Sequence, residues 1–447
     1  MTRLLFSRID NTPLILFRVF FGLLISLECF GALATGWVRT NLAEPEYTFP
    51  FIGFEWLQAL AGPGMYLYFF LMGSLGIAVT LGYRYRLSMA AFTLLWTGAY
   101  LMQKTSYNNH YYLLVLVSAL MCFFPAHRDF SLDSRRNPAL REHHMYALVK
   151  WIVVGQLLVV YTYAAIAKLY GDWFDFSVIA RLLEPKKGYI LIGPLLQDHT
   201  IHQAIGFFGI AFDFLIIPLL LFKPTRKAAF AASLFFHGFN SVVFQIGIFP
   251  FLSLAFTVFF FEAETLRRIF FRRKTNPVPP PFKKPRWARA ATLVLGLYFI
   301  VQVVLPVRHH FIEGDVLWTE EGHRLSWRMM LRVRSGNLRF RVVDRETGQS
   351  WQVSPGEWVT PKQARKVGAY PDFAWQFAQI LKKQYARKGQ QVAVYARGQV
   401  QVNGHAPAPL IDPETDLASE PWDPWRHHPW ILPPPPWLQA DTPGAGE

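Results

Sequence analysis

From Leu14 to about Pro306 the chain is a succession of apolar runs, near residues 13–35, 64–83, 87–104, 110–125, 145–167, 204–222, 228–262 and 290–306. Such runs approach the roughly 17–25 residues that a helix needs to cross hydrocarbon. The run 228–262 is too long for one ordinary span. It breaks around Gly247 and Pro250, so it is expected either to span twice or to form a helix with a re-entrant hairpin. Beyond Val307 polar and apolar residues alternate instead, as in a water-exposed domain. The expected fold is a multi-span α-helical integral membrane protein of about eight to nine membrane segments with a C-terminal extracytoplasmic β-rich domain.

Within that last region, 338–342, 392–395 and 400–402 alternate as strands do. A helix is expected near 371–387, where Phe373, Phe377, Ile380 and Leu381 share a face. From Ala406 the chain is rich in Pro and Trp and runs into Pro433–Pro436. That composition favours extended or disordered chain, although its four tryptophans could equally pack back. The expected boundaries are a membrane domain over 1–306, a β-rich domain over 307–405 and a tail over 406–447.

Composition sharpens this picture. Of 447 residues, 52% are hydrophobic and only 17% charged, with 45 Lys+Arg against 30 Asp+Glu. The basic residues cluster at Arg3/Arg8, Arg84/Arg86, 128–141, Lys223/Arg226/Lys227 and 265–290, the last with nine Lys/Arg and no acid. Loops 36–63 and 169–203 carry more acids and no such run. Cytoplasmic loops are enriched in Lys and Arg, so the N-terminus is expected in the cytoplasm and the region after 307 outside it. The positive excess then reports orientation, and nucleic acid is not an expected partner. The first apolar run is longer than a signal-peptide core and is expected to stay uncleaved. Cys29 and Cys122 belong to no CxxC or Cys/His cluster, so neither zinc nor a disulfide framework is expected.

Ionisable residues inside membrane segments are costly, and each is a functional candidate. A polar cluster, Gln103 to His110, opens one run. Tyr161 and Lys168 lie seven residues apart near the end of another, His237 and Asn240 interrupt 228–262, and Glu28 and Asp213 stand inside theirs. By the expected topology His110 and Lys168 fall on the outer side, where they could share a cavity with His237. Alone, each has a plainer explanation: a lysine extending to headgroups, a helix cap, a hydrogen-bonded core histidine. Together, a lysine in a poorly hydrated cavity can act as a base, with Asn and His stabilising developing charge on oxygen. No nucleotide loop, catalytic triad order or metal motif is present, so such chemistry would need a reactive lipid-soluble cofactor or substrate.

These residues also carry a family resemblance. Lys104-Thr105-Ser106-Tyr107-Asn108-Asn109-His110-Tyr111-Tyr112-Leu113 is similar to the KTSWNNHxYL signature of vitamin K-dependent gamma-glutamyl carboxylases. Those enzymes share a horizontally transferred transmembrane (HTTM) domain with bacterial proteins. Tyr161 through Lys168-Leu169-Tyr170-Gly171-Asp172-Trp173 resembles their Y-(6)-K-L-x-x-D-W pattern, and His237 through Phe249 their HxxNSxxFxIGxF stretch. Ser326-Trp327-Arg328-Met329-Met330 resembles their SWxMM segment. The four blocks occur in the family's order across roughly 100–335.

The resemblance implies a bacterial homologue that oxidises vitamin K hydroquinone, of menaquinone or phylloquinone type, with O2. Lys168 would be the initiating base. The resulting vitamin K alkoxide would remove a γ-hydrogen from a protein or peptide glutamate, CO2 would add, and the quinone would leave as the epoxide. Asn109 and His110 would hold the quinol or stabilise its oxyanion, with His110 counted as catalytic and Tyr161, His237 and Met329 lining its site. His323, Trp327 and Arg334 would serve glutamate, Arg334 as a carboxylate clamp. A quinone-reducing enzyme, a lipid bilayer and a bacterial inner membrane are the implied surroundings. The chain is shorter than animal members and lacks their linking cysteine pair, so a reduced propeptide-docking region is expected. Alternative readings are a quinol oxidase that forms epoxide without carboxylation, and a transporter or lipid-binding protein.

Overall fold

The computed structural model describes residues 2–272, 274 and 278–439. Arg273 of the basic run and the last eight residues of the tail lie outside them. The chain forms two compact units. The first comprises Met1–Glu44, Pro50–Thr162 and Phe212–Val303, and the second Pro45–Phe49, Tyr163–Ala211 and Val304–Glu447.

Among the described residues, five helices are long and apolar enough to cross a membrane: α1 (Thr12–Ala34), α2 (Gly64–Leu81), α5 (Ala147–Ile166), α6 (His199–Leu221) and the segment Ala288–Phe311. A sixth arises only if Phe249–Phe259 and Ala263–Phe270, bent by 118°, form one span. The eight to nine segments expected from the apolar runs are therefore too many. The run 87–104 forms α3 (Tyr85–Met102), which Arg86, Ser88, Thr93, Thr97 and Tyr100 make too polar. The run 110–125 forms α4 (Asn109–Phe123), whose 15 residues rise only about 22 Å against roughly 30 Å of hydrocarbon. The run 228–262 splits into α7 (Arg226–Phe239), a π-helical turn over Asn240–Phe244, and α8 (Phe249–Phe256). Apolar side chains such as Leu87, Leu94 and Phe123 are exposed on α3 and α4, so apolar surface alone does not make a full span.

In the first unit α1 and α2 pack closely through small residues. A Cβ on Gly22 would lie 2.5 Å from the Thr80 backbone nitrogen, and one on Gly76 would lie 2.8 Å from that of Ser26. Ser26 Oγ donates to Gly73 O at 2.9 Å. Close backbone approach is what holds helices together where lipid removes the hydrophobic driving force. Glu28, an isolated acid in the sequence, accepts a hydrogen bond from Tyr111 at 2.6 Å.

The second unit contains two three-stranded antiparallel sheets. One has the order β3 (Ser350–Val353), β2 (Arg339–Asp344), β4 (Val392–Arg397), and the other β1 (Arg334–Gly336), β5 (Gln399–Val402), β6 (Ala408–Pro409). Alternation along β2 turns Phe340 and Val342 inward, opposite Ala396 and Val394. The helix Pro371–Ala386 covers them with Phe373, Phe377 and Leu381, spaced at i, i+4 and i+8. The described part of the Pro/Trp tail is packed rather than loose. Ile411 bridges Ile431, Trp430 is buried, and Trp318 Nε1 donates to Leu432 O at 2.9 Å. Stretch 163–211 also belongs to this unit, although the boundary at 306 places it with the membrane part.

Candidate active site

The first unit gathers the first and third sequence blocks. Asn108 caps α4, its side chain accepting the Tyr111 N–H at 2.7 Å. The turn before it is knotted by Gln103 Nε2 donating to Asn41 O at 2.8 Å, and by Ser106 donating to Asn41 Oδ1 at 3.1 Å. Asn109, next in line, accepts from the Tyr107 hydroxyl at 2.8 Å. The His110 ring stacks on Phe249 with centroids 3.9 Å apart, and Phe249 meets His237 edge-on at 5.8 Å. His237 Nε2 lies 3.0 Å from the Tyr161 hydroxyl. His237 is 1% exposed, and its Nδ1 has no hydrogen-bond partner among the described residues. Phe212 packs edge-on against both Tyr161 and His237. The result is an aromatic wall with a few buried polar atoms set in it. A flat quinol ring with hydroxyl groups fits that chemistry, the faces offering stacking and the unpartnered Nδ1 a hydrogen bond.

The second unit gathers the other two blocks. Helix α5 ends at Ile166, and Lys168 sits two residues beyond. Its Nζ donates to Ala164 O at 3.0 Å and stands 5.4 Å from the centre of the Trp173 ring. At 8% exposure it is folded back against protein, not spread into the surroundings as a snorkelling lysine would be. Asp172 anchors the stretch, accepting from Asn403 Nδ2 at 2.6 Å and pairing with His405 Nε2 at 2.7 Å. The Tyr170 hydroxyl donates to Leu331 O, just past the SWxMM-like block.

That block has an unusual backbone. Glu320, Leu325, Trp327 and Met330 all adopt left-handed φ values, between 55° and 62°. Each such residue costs on the order of 1–3 kcal/mol and persists only where its surroundings enforce it. The enforcement is ionic: Glu320 pairs with Arg332 and lies 3.7 Å from Arg334, while Arg324 pairs with Asp372 at 2.9 Å. Arg334, with its side chain fully enclosed, donates to Leu317 O at 2.9 Å, Trp318 O at 2.7 Å and Ala369 O. Its other terminal nitrogen, Nη2, has no hydrogen-bond partner among the described residues. Trp327 and His323 are buried, and Met329 is half-buried.

Residues 6–264 match the family model of the HTTM domain, and residues 287–436 match that of the vitamin K-dependent gamma-carboxylase, lumenal domain. The chain belongs to the vitamin K-dependent gamma-carboxylase family. No solved structure matches it. The family fits a membrane protein with an extracytoplasmic domain, a vitamin K cofactor and a protein glutamate substrate. Lys168 and Asp172 fall within the HTTM match, yet the partners of Asp172, Asn403 and His405, fall within the lumenal-domain match.

Sequence reasoning passed over several residues that build the site: Glu320, Asp372 and Glu321, whose carboxylate takes both His427, at 2.7 Å, and His428, at 2.6 Å. The only signal was the pair of adjacent acids beside a block rich in arginine. One measurable consequence concerns His323. Burial, and then the nearby Arg332, Arg328 and Arg324, hold its pKa well below the ordinary value of 6.5. The neutral imidazole therefore stabilises the fold in full above pH 6.5, and this contribution is lost as pH falls below it. The slope is at most about 1.4 kcal/mol per pH unit. Thermal unfolding of the detergent-solubilised protein from pH 7.5 to 5.0 should fall less steeply for His323→Asn than for wild type.

Proposed function

We propose that this protein is a vitamin K-dependent gamma-glutamyl carboxylase: it oxidises vitamin K hydroquinone with O2 to the epoxide and adds CO2 to glutamate side chains of a protein or peptide. The observation that carries this reading is the enclosed Lys168, held against Ala164 O and Trp173 on a stretch bonded to Leu331, Asn403 and His405. The bound quinol would supply the reducing electrons and the strong base for γ-hydrogen removal.

The chain's own residues would do the rest. Lys168 Nζ accepts a quinol hydroxyl proton as the initiating base. Asn109 and His110 donate to oxygen as negative charge develops there. Tyr161 and His237 orient each other through the hydrogen bond between them and would line the quinol site, with Phe249 as the stacking face. Met329, in the strained block, is a further candidate for contact with the quinol. His323, Trp327 and Arg334 would serve the glutamate substrate, with Arg334 as the carboxylate clamp through its unpartnered Nη2. Orientation follows the basic loops: N-terminus in the cytoplasm and the lumenal-type domain outside, in a bacterial inner membrane, with a separate enzyme returning the quinone to its reduced form.

The test is purified protein incubated with reduced vitamin K in air, with epoxide read by chromatography. Epoxide above a no-protein control is expected. Oxygen-independent movement of a solute into liposomes with no epoxide would favour a transporter instead. Tyr161→Phe keeps the ring and removes the bond to His237. It should raise the KM for quinol roughly fivefold to tenfold, as loss of a hydrogen bond of about 1 kcal/mol does, with less effect on kcat.

A further inference from the structure

A second polar site lies in the first unit, built from residues outside the blocks described above. It is a cavity of about 700 Å³ between the start of α1, the end of α2 and the loop 129–143. Arg18 lines it from the second turn of α1, and Leu81, which also lines it, is the last residue of α2. Both belong to candidate spans, so the cavity stands where two spans reach the edge of the apolar layer.

Its charge is lopsided. Arg18, Arg135, Arg141 and Lys274 line it against one carboxylate, Asp129. That carboxylate is engaged, with His143 Nδ1 at 2.8 Å and Lys274 at 3.6 Å. Lys274 is satisfied by Asp10 at 2.9 Å, Asn11 at 2.5 Å and Thr12 at 2.8 Å. Arg135 and Arg141 are exposed and make no ion pair among the described residues. Arg18 is 1% exposed, and its two terminal nitrogens donate to Ala126 O, Asp129 O and Phe130 O. Its Nε has no partner among the described residues. A buried guanidinium N–H left open beside two unpaired arginines calls for an anion with several acceptor oxygens.

The rest of the wall decides what kind of anion. Val19, Leu81, Phe130 and Leu132 line the cavity beside the cations. A free inorganic ion gains nothing from such residues, whereas an amphiphile carrying a phosphate uses both surfaces. We propose that this cavity binds the phosphate headgroup of an anionic phospholipid, with Arg135 and Arg141 as outer contacts and Arg18 Nε at its floor. Such a lipid would tie the loop 126–135 to α1 and α2, the same loop that Arg18 clamps and that Asp133 fastens to the start of α3 through Arg84 N and Tyr85 N, each at 2.8 Å.

Native mass spectrometry of the full chain in detergent tests this with three probes: phosphatidylglycerol, phosphatidylcholine and inorganic phosphate. One phosphatidylglycerol adduct is expected, retained at least tenfold better than phosphatidylcholine. Arg135→Gln/Arg141→Gln, at exposed positions that should not disturb folding, should weaken it roughly tenfold or more, at about 1 kcal/mol per arginine. Arg18→Gln should abolish it, and thermal unfolding checks that this variant still folds. Equal retention of the two lipids, or an unchanged adduct in the double variant, overturns the proposal. Displacement of the lipid by inorganic phosphate at comparable concentration would assign the site to the free ion and overturn the lipid source.

Discussion

Lys168→Ala is expected to remove epoxide formation from added vitamin K hydroquinone, by roughly 10²–10⁴-fold, the range that a positioned general base contributes. The variant should still insert and fold. The side chain rests on one carbonyl and the face of Trp173, whereas the stretch around it is held by Asp172 and Tyr170, which the substitution leaves alone. Thermal unfolding within about 1 kcal/mol of wild type is therefore the companion result. Partial rescue by a small exogenous amine would show that the missing function is proton transfer. Wild-type epoxide formation in a folded variant would remove Lys168 as the base.

Glu320→Gln should be the most damaging single change to stability. It preserves shape and backbone preference but leaves the side chains of Arg332 and Arg334, 11% and 0% exposed, without their carboxylate. Breaking one partner of a buried ionic group costs roughly 3–5 kcal/mol, because the remaining charges stay buried. For a domain of this size that is on the order of 10 °C in Tm. Glu414→Gln, at an exposed acid in the same unit, should shift Tm very little. Differential scanning fluorimetry of the three proteins in one detergent reads the comparison. A Glu320→Gln variant as stable as wild type would mean that the strained block is enforced by something other than this pair.

Much of the domain after 307 was legible because its signals are local. Phe340/Val342 alternate and Phe373/Phe377/Leu381 recur at helical spacing, and each lands in the core. The span count was less legible, because an apolar run does not say whether lipid or protein surrounds it. Helices 85–102 and 109–123 are apolar yet too polar or too short to count as spans. The candidate residues were legible as types, through rare polar groups in apolar runs. Their partners were not: Asp172 meets residues 231 and 233 positions away, and Glu321 meets His428, 107 positions away. Left-handed backbone at Leu325, Trp327 and Met330 has no signature in the sequence, since these are residue types that avoid it. The tail was open for a related reason: proline suggests extended chain and tryptophan packing, and buried Trp430 and Ile431 decide where its described part lies.

Quinol oxidation here is expected to be coupled to carboxylation. The most direct measurement incubates purified protein with reduced vitamin K, O2, labelled CO2 and a glutamate-containing peptide, and reads epoxide and label in the same tube. The expected result is label in the peptide's glutamates rising with epoxide, both lost in Lys168→Ala. Epoxide with no label in any glutamate would contradict the claim and leave a quinol oxidase that carboxylates nothing.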